Sequence, residues 1–333
     1  MTMDSVNDKV EGCSLKRIGV LTSGGDAPGM NAAIRAVART AVYKGLDVIG
    51  FRRGFEGLID GDVVPLTLSS VGGIIHRGGT MLRTARSERF TRPEGVREGL
   101  QRLRDYDVDA LIVIGGDGSF RGAYEVHKLG YPVVGIPATI DNDMAGTDCT
   151  IGFDTACNTA LSCIQKLRDT ASSHERLFLV EVMGRHAGFL ALEAAVAGGA
   201  EYVLVPEKQF NIDGICKKLD YAHKRGKNHS LIVVAEGVMG AGELASQLKE
   251  ARGYDARIVV LGHIQRGGSP SSFDAILASR LGGGAVEALF RGETGVMVGR
   301  MTGKIVTHPI QCAWENKKDL DEDMMQLVEI LGI

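Results

Sequence analysis

Short apolar runs alternate with helical repeats along almost the whole chain, and this alternation restricts the fold more than any other feature of the sequence. The runs are nearly continuous, are rich in β-branched residues and do not alternate with polar ones, which is typical of strands buried on both faces of a parallel sheet. They span residues 17–21, 110–114, 133–136, 177–182, 202–205, 231–235 and 258–261. Each of these runs is therefore predicted to be a buried strand.

Between the runs, apolar residues recur at spacings of three and four, which predicts helices. These helices span residues 31–43, 93–106, 120–129, 155–170, 189–196 and 273–290. Regular alternation of strand and helix predicts an α/β fold that is doubly wound, with right-handed crossovers. Residues 295–309 alternate around glycines and predict a terminal hairpin, and the acidic stretch 314–333 predicts a helical tail.

The length of 333 residues predicts two domains, with one large α/β domain as the alternative. The 38 basic and 41 acidic side chains leave a net charge of −3, which gives no global field for nucleic acid or for an anionic membrane. The six cysteines form no CxxC pair and are predicted to be free thiols. With no apolar signal segment and no membrane-length apolar stretch, we expect a cytoplasmic protein with a disordered tail at residues 1–15.

Glycines are the compositional excess, at 45 residues, and several of them follow predicted strands. Gly24 and Gly25 follow the first run, and Gly115, Gly116 and Gly118 follow the second. Backbone amides of glycines between a buried strand and a helix N-terminus are free to bind phosphate. The alternative is that these glycines only permit tight turns. Neither loop matches the P-loop or the Rossmann dinucleotide pattern.

Carboxylates accompany these strand ends. Asp117 lies among the glycines of the second loop, where its charge would repel a phosphate unless a divalent cation such as magnesium were bound. Asp141 and Asp143 follow the third run and would point the same way if the segment were extended. Such a pair suits a general base beside a metal ligand, and the alternative is a solvated acidic turn.

Three arginines complete the predicted site. Arg86 lies in a polar loop, and Arg185 and Arg266 follow two further runs, where they are predicted to clamp phosphate groups. His186 and His263 lie beside them, and we assign these two side chains to hydrogen bonding or packing rather than to acid–base catalysis.

Seven motifs resemble the bacterial-type 6-phosphofructokinases, and the resemblance runs from about residue 16 to about residue 314. The motifs are SGGDAPGMNAAIR (23–35), RGGT (77–80), IGGDGS (114–119), TIDND (139–143), GTDCTIGFDTA (146–156), VEVMGRHAG (180–188) and LGHIQRGGSP (261–270). This resemblance implies two doubly wound, Rossmann-like αβα domains with the active site in the cleft between them. Residues 16–151 with about 269–313 would bind ATP, and about 152–268 with 314–333 would bind fructose 6-phosphate.

The family's reaction is a glycolytic one, in which the ATP γ-phosphoryl group passes to the 1-hydroxyl of fructose 6-phosphate with Mg²⁺ as the metal. By resemblance, Asp141 is the base, with Thr139 and Arg185 assisting, and Asp117 and Asp143 hold the metal. The ATP site would comprise Gly25, Arg86, Ser87, Gly116, Asp117, Gly118 and Ser119. The sugar phosphate site would comprise Thr139, Ile140, Asp141, Arg176, Met183, Gly184, Arg185, Glu236, Arg257, His263, Ile264, Gln265 and Arg266.

The resemblance also implies a homotetramer, in which Arg176 and Arg257 reach the sugar phosphate of a neighbouring subunit. An allosteric site for ADP or phosphoenolpyruvate would comprise Arg35, Arg39, Arg168, Gly199, Glu201, Arg225, Lys227 and His229. Two positions depart from the family pattern, because Asp62 stands where an arginine is usual and Arg225 replaces a lysine. A weakened or altered effector response is therefore expected, and Arg35 and Arg39 could instead form only subunit salt bridges.

The phosphoryl donor is indicated by two positions. Pyrophosphate-using relatives carry aspartate at the position of Gly118 and lysine at that of Ala138, whereas ATP users carry glycine at both. Gly118 is of the ATP type, and Ala138 departs from the pattern but is small and uncharged. The alternatives are a pyrophosphate-dependent enzyme and a non-catalytic regulatory subunit of the same fold.

Overall fold

The computed structural model describes residues 15–174, 176–227 and 229–332. Apart from Leu15, the predicted tail at residues 1–15 lies outside the described residues, and so does Cys13. Cys149, Cys157, Cys163, Cys216 and Cys312 are free thiols, as predicted. No helix within the described part of the chain is both long enough and apolar enough to cross a bilayer.

The strands and helices alternate as the sequence pattern predicts. In chain order, the strands are β1 (Arg17–Thr22), β2 (Asp47–Phe51), β3 (Val63–Pro65), β4 (Ala110–Gly115), β5 (Val133–Pro137), β6 (Leu177–Val182), β7 (Tyr202–Leu204), β8 (Ser230–Ala235), β9 (Ala256–Val260), β10 (Val296–Met301) and β11 (Lys304–Pro309). The helices are α1 (Met30–Tyr43), α2 (Gly54–Asp60), α3 (Pro93–Asp105), α4 (Asp117–Lys128), α5 (Phe153–His174), α6 (Phe189–Gly198), α7 (Ile212–Lys224), α8 (Ala241–Arg252), α9 (Ser272–Phe290), α10 (Cys312–Glu315) and α11 (Glu322–Leu331).

The strands form two sheets. The larger has seven strands in the order β11-β10-β5-β4-β1-β2-β3, and the smaller has four in the order β7-β8-β6-β9. All pairs in the smaller sheet are parallel. In the larger sheet the edge strands β3 and β11 run antiparallel to their neighbours, and β10 and β11 form the predicted hairpin.

Each sheet buries residues on both of its faces, although the edge strand β9, which the sequence predicts to be buried, has only exposed and partly buried residues. In β1, Ile18 and Val20 belong to the apolar cluster that contains α1 and α9, whereas Leu21 belongs to the cluster on the opposite face with α2, α3 and α4. The smaller sheet divides in the same way, with α5, α6 and α11 on one face and α7 and α8 on the other. Burial on both faces explains why the strands have continuous apolar sequences, and it confirms the doubly wound α/β prediction.

Five elements were not predicted, namely β2, β3, α2, α7 and α8. Of these, β3 has only three residues, and α2 has two glycines among its seven residues. One predicted helix begins earlier than expected, because α4 starts at Asp117 rather than at Phe120. The first turn of α4 is therefore formed by the glycine-rich motif itself.

The glycines within α9 allow close helix packing. A Cβ atom on Gly282 would lie 2.7 Å from Cβ of Ala36 and 2.8 Å from the carbonyl oxygen of Ala33, both in α1. A larger residue would push α9 away from α1, so this glycine has a packing role that the sequence pattern did not reveal.

The chain passes between the two sheets more than once. The larger sheet takes its strands from residues 17–137 and 296–309, and the smaller takes its strands from residues 177–260. The first passage leads into α5, whose N-terminal end is held by the buried carboxylate of Asp274 in α9. That carboxylate accepts hydrogen bonds from the backbone amides of Gly152 (2.9 Å) and Thr155 (2.8 Å). The exact domain bounds given above stay a prediction.

Candidate active site

A cavity of about 940 Å³ lies where the carboxyl ends of strands from the two sheets meet. The larger sheet contributes the segments that follow β1, β4 and β5, together with the loop that contains Arg86. The smaller sheet contributes His263 and Arg266 from a 3₁₀ turn that follows β9. Ligands of open α/β sheets bind outside the carboxyl ends of the strands, which is where this cavity lies.

All residues predicted for the ATP site line this cavity: Gly25, Arg86, Ser87, Gly116, Asp117, Gly118 and Ser119. Gly116 precedes α4, so the unpaired amides of the first turn and the positive end of the helix dipole belong to the cavity wall. No described atom lies within 4 Å of the place where a Cβ on Gly118 would be. A side chain at this position would therefore extend into open space inside the cavity.

Arg266 connects the two halves of the site. Its Nη1 donates a hydrogen bond to the backbone oxygen of Asp26 at 3.2 Å. A Cβ atom on Gly25 would lie only 2.3 Å from the same nitrogen. Glycine at position 25 therefore lets a guanidinium from the smaller sheet lie directly against the loop after β1.

Asp141 and Asp143 do not point in the same direction. Asn142 between them has a left-handed φ of 53°, so the segment is not extended. Asp141 lines the large cavity, and Asp143 lines an adjoining cavity of about 260 Å³. Asp117 lines both cavities, so the three carboxylates surround the boundary between them. The condition for the predicted shared direction is therefore not met, although the residues remain neighbours.

Burial makes these carboxylates harder to ionise. It is the main reason why the pKa of Asp141 is raised, and nearby Arg266 partly opposes the effect. Burial, followed by the charge of Asp141, raises the pKa of Asp143 to about 6. The Oδ1 atom of Asp141 is buried and has no hydrogen-bond partner among the described residues. A positively charged or proton-donating ligand would satisfy this group.

The donor set fits a magnesium ion. Asp117 and Asp143 supply hard carboxylate oxygens, and their mutual repulsion with Asp141 would be relieved by a cation. Within the described ranges, no group of three or more histidine, cysteine, aspartate or glutamate side chains has the arrangement of a complete metal site. Magnesium usually binds through one or two carboxylates together with water and substrate phosphates, so two protein ligands suffice.

Of the residues predicted to bind the sugar phosphate, Thr139, Ile140 and Asp141 follow β5, and Thr139 and Asp141 line the large cavity. Eight others follow three neighbouring parallel strands of the smaller sheet. Met183, Gly184 and Arg185 follow β6, Glu236 follows β8, and the turn Gly262–Arg266 follows β9. Among these, only His263 and Arg266 line the large cavity. Arg185, Glu236 and Ile264 are exposed near it, whereas Ile140, Met183, Gly184 and Gln265 are buried. The Gln265 side chain accepts a hydrogen bond from the Met183 amide at 2.9 Å, so these buried residues support the loops.

Arg176 and Arg257 lie away from the cavity. Arg176 immediately precedes β6 and Arg257 is the second residue of β9, so both are at the amino ends of their strands. The Arg257 side chain is about half exposed and forms an ion pair with Asp255 at 3.7 Å. The single chain therefore does not bring either arginine to the site, which is compatible with a role toward another copy.

The predicted effector residues form two separate groups. Arg35 and Arg39 lie on α1, beside the larger sheet. The others lie on helices and loops beside the smaller sheet. Arg168 donates hydrogen bonds to the carbonyl oxygens of Gly198 and Gly199, and the buried Glu201 forms an ion pair with Lys227 at 2.7 Å. Arg225 lies over the Tyr221 ring, and His229 directly precedes β8.

Other residues of the large cavity were not predicted: Ser23, Asp26, Phe55, Thr84, Ala85, Phe90, Thr91, Arg121, Gly122 and Glu125. Phe55 and Phe90 stack with ring centroids 4.2 Å apart, and no sequence pattern links them. Arg121 could have been found, because it lies one helical turn after Asp117 and its Nε is 3.8 Å from Oδ2 of that residue.

Comparison with known proteins identifies the family to which the chain belongs. The family profile described as phosphofructokinase matches residues 17–289. An ATP-dependent 6-phosphofructokinase of Listeria welshimeri is 54% identical over 319 residues, covering 96% of this chain and 100% of that protein. The phosphofructokinase of Saccharomyces cerevisiae is 35% identical with a TM-score of 0.82, and the match covers 95% of this chain but only 46% of the yeast chain.

A pyrophosphate-dependent phosphofructokinase of Marinobacter aquaeolei is 24% identical, with a TM-score of 0.82, and the match covers 95% of this chain and 91% of that chain. This last likeness shows the shared fold alone. The matched profile and the extent of identity together show that the chain belongs to the phosphofructokinase family.

Proposed function

We propose that the protein is an ATP-dependent 6-phosphofructokinase, which transfers the γ-phosphoryl group of ATP to the 1-hydroxyl of fructose 6-phosphate. The observation that carries this proposal is one cavity that joins the glycine-rich ends of β1 and β4, the Asp141 carboxylate and the Arg266 guanidinium. Relatives that are 54% identical over almost the whole chain are named as enzymes of this activity. Production of fructose 1,6-bisphosphate, detected with aldolase from ATP and fructose 6-phosphate, is the test.

The ATP side of the site would work mainly through the backbone. Amides at Gly25 and from Gly116 to Ser119 can donate to phosphate oxygens, and the N-terminal end of α4 adds a favourable dipole. Arg86, which lines the same cavity, can pair with the polyphosphate. Magnesium, held by Asp117 and Asp143, would neutralise phosphate charge and orient the transferred group.

The acceptor side would supply the base and the sugar phosphate ligands. Asp141, whose Oδ1 is buried and has no hydrogen-bond partner among the described residues, would take the proton from the 1-hydroxyl. The sugar oxygen then attacks the γ-phosphorus while the bond to the β–γ bridging oxygen breaks, and ADP leaves. Arg266 and His263 would hold the acceptor, and Arg185 would stabilise charge on the transferred group.

Asp143→Asn is expected to stabilise the ligand-free protein at pH 8 but not at pH 4. The pKa of Asp143 is raised by burial to about 6, so its contribution to the free energy of unfolding is fully present below about pH 4 and is lost as the pH rises through about 6. Asparagine removes this loss, which amounts to roughly 2–3 kcal/mol. Urea denaturation of both proteins at the two pH values measures the difference.

Asp148→Asn is the control for this experiment, because Asp148 is an exposed carboxylate in the same segment. It is expected to change stability little at either pH. A gain in the Asp143→Asn protein that is the same at pH 4 and pH 8 would contradict the role of ionisation.

We further propose that the active enzyme is a homotetramer with a weak effector response. Ile258, Val260 and Ile264 are 45%, 58% and 57% exposed on and just after the edge strand β9, next to Arg257. A second copy covering this edge would bury them and could receive the arginine. The effector groups on α1 and near α6 would likewise depend on assembly, because they lie beside different sheets.

The Asp62→Arg substitution is expected to strengthen the response to ADP or phosphoenolpyruvate. In the present chain, Asp62 forms ion pairs with Arg53 at 3.2 Å and with Arg52 at 3.7 Å. Asp62 therefore adds a negative charge and also keeps these two arginines from pairing with an anionic effector. The measurement is the change in KM for fructose 6-phosphate on addition of each effector, with sedimentation equilibrium showing four copies in both proteins. An equally strong response without the substitution would refute the prediction.

We place the enzyme in the cytoplasm, where ATP and sugar phosphates are available. Its free cysteines Cys149, Cys157, Cys163, Cys216 and Cys312 are consistent with a reducing compartment. Cell fractionation followed by the aldolase-linked assay tests this location, and activity found mainly outside the cytoplasmic fraction would disprove it.

A further inference from the structure

Lys318 reaches back from the C-terminal segment to the segment that carries the catalytic carboxylates. It lies between α10 and α11, beyond residues 17–289 that match the family profile. Its Nζ donates a hydrogen bond to Oδ1 of Asn142 at 2.9 Å and another to the backbone oxygen of Asp148 at 2.7 Å. One ammonium group therefore binds two points of the segment 142–148.

Asn142 is the residue whose conformation separates Asp141 from Asp143. It is buried and has a φ of 53°, a left-handed value that non-glycine residues adopt only where the surroundings hold it. Besides Lys318, its Oδ1 accepts a hydrogen bond from the amide of Thr150 at 3.1 Å. The hydroxyl of Thr150 in turn donates to the carbonyl oxygen of Thr139 at 2.6 Å. Lys318 thus completes a network that spans residues 139–150.

Lys318 is itself held from both sheets. Its Nζ lies 5.3 Å from the centre of the Phe189 ring at the start of α6. Asp143 and Asp148 of the segment 142–148 and Glu193 of α6 also face the ammonium group. The Lys318 side chain is half-buried. The ammonium therefore connects the segment that follows β5 in the larger sheet with a helix that packs on the smaller one.

We propose that Lys318 is a positioning residue for phosphoryl transfer. By bonding to Asn142, it holds the left-handed turn that directs Asp141 into the large cavity and Asp143 into the adjoining one. The inference rests on the proposed function, since it assigns these carboxylates to catalysis. Lys318 lines the adjoining cavity but not the large one in which the substrates are proposed to bind, so its effect on the reaction is transmitted through Asn142.

The first test is Lys318→Met, which keeps the length of the side chain and removes the donor. We expect kcat to fall about ten- to a hundred-fold, because small displacements of catalytic groups have effects of this size. KM for fructose 6-phosphate should stay within about twofold. Lys318→Arg should restore most of kcat, because arginine is also a cationic donor. Lys317→Met is the matched control, since Lys317 is an exposed neighbour that lines the same adjoining cavity.

The second test asks whether Lys318 acts through Asn142. Asn142→Gly removes the side chain but accommodates the left-handed φ, and Lys318→Met is then made in both backgrounds. The proposal predicts a much smaller further loss of kcat in the Asn142→Gly background. An equal fractional loss in both backgrounds would overturn it.

Amide hydrogen exchange of the ligand-free protein gives a readout that is independent of activity. Lys318→Met should accelerate exchange within residues 139–150, whereas Lys317→Met should not. A lowered melting temperature with unchanged kcat per folded molecule would show a purely structural role and would refute the proposal. Absence of product with the unsubstituted protein would instead refute the proposed function, so the two failures are distinguishable.

Discussion

Asp141→Asn is expected to lower kcat by about 10²- to 10⁴-fold, which is the usual contribution of a general base. Asparagine has nearly the same shape but cannot accept the proton of the 1-hydroxyl. The backbone amide of Asp141 is bonded to Oγ1 of Thr139 at 3.2 Å, and this contact survives the substitution. Binding of fructose 6-phosphate should therefore remain within about threefold. Steady-state kinetics and calorimetric titration with the sugar phosphate measure the two quantities.

The control for Asp141→Asn is Asp148→Asn in the same segment. Oδ2 of Asp148 accepts a hydrogen bond from the Thr302 amide at 2.7 Å, and asparagine can accept the same bond. Near-normal kcat is therefore expected for this variant. If Asp141→Asn also had near-normal kcat, another group would have to be the base, and the role assigned to Asp141 would be wrong.

Gly118→Asp is expected to lower kcat/KM for ATP by about a hundred-fold or more, because it places a second negative charge beside Asp117 at a site for polyphosphate. The side chain would point into the cavity, where no described atom lies within 4 Å of the Cβ position. Steric strain within the protein is therefore small, and the loss would come from repulsion and from filling the ATP volume. Kinetics with ATP varied and fructose 6-phosphate saturating measure the effect.

Gly118→Ala separates the charge from the loss of glycine. Gly118 lies within α4 and has no positive φ, so alanine fits the helix. We expect this variant to keep kcat/KM for ATP within about threefold. An equally large loss with alanine would mean that position 118 acts through the backbone rather than through space for ATP.

The sequence predicts the interior of this fold better than its edges. Strands such as β4 and β8 are buried on both faces, and this burial requires the continuous apolar runs by which they were recognised. The shorter β3, at the edge of its sheet, has no buried residue, so its position does not require a continuous apolar run. Gly282 was not explained by its own helix, because its role depends on Ala33 and Ala36 of a helix far away in the chain.

The same distinction applies to the candidate site. Residues that directly follow buried strands, such as Gly25, Asp117 and Asp141, could be predicted because the fold brings strand ends together. The turn at Asn142 could not, since its left-handed φ depends on Thr150 and on Lys318, which is 176 residues away. The contact of Arg266 with the loop after β1 likewise depends on how the two sheets face each other.

The identity of the phosphoryl donor tests the central claim most directly. The purified protein is incubated with fructose 6-phosphate and Mg²⁺, and with either γ-³²P-labelled ATP or ³²P-labelled pyrophosphate. We predict label in fructose 1,6-bisphosphate from ATP and none above background from pyrophosphate, because Gly118 leaves room for the rest of the nucleotide. Label from pyrophosphate alone would contradict the account of the ATP site, and label from neither donor would contradict the assignment of phosphofructokinase activity.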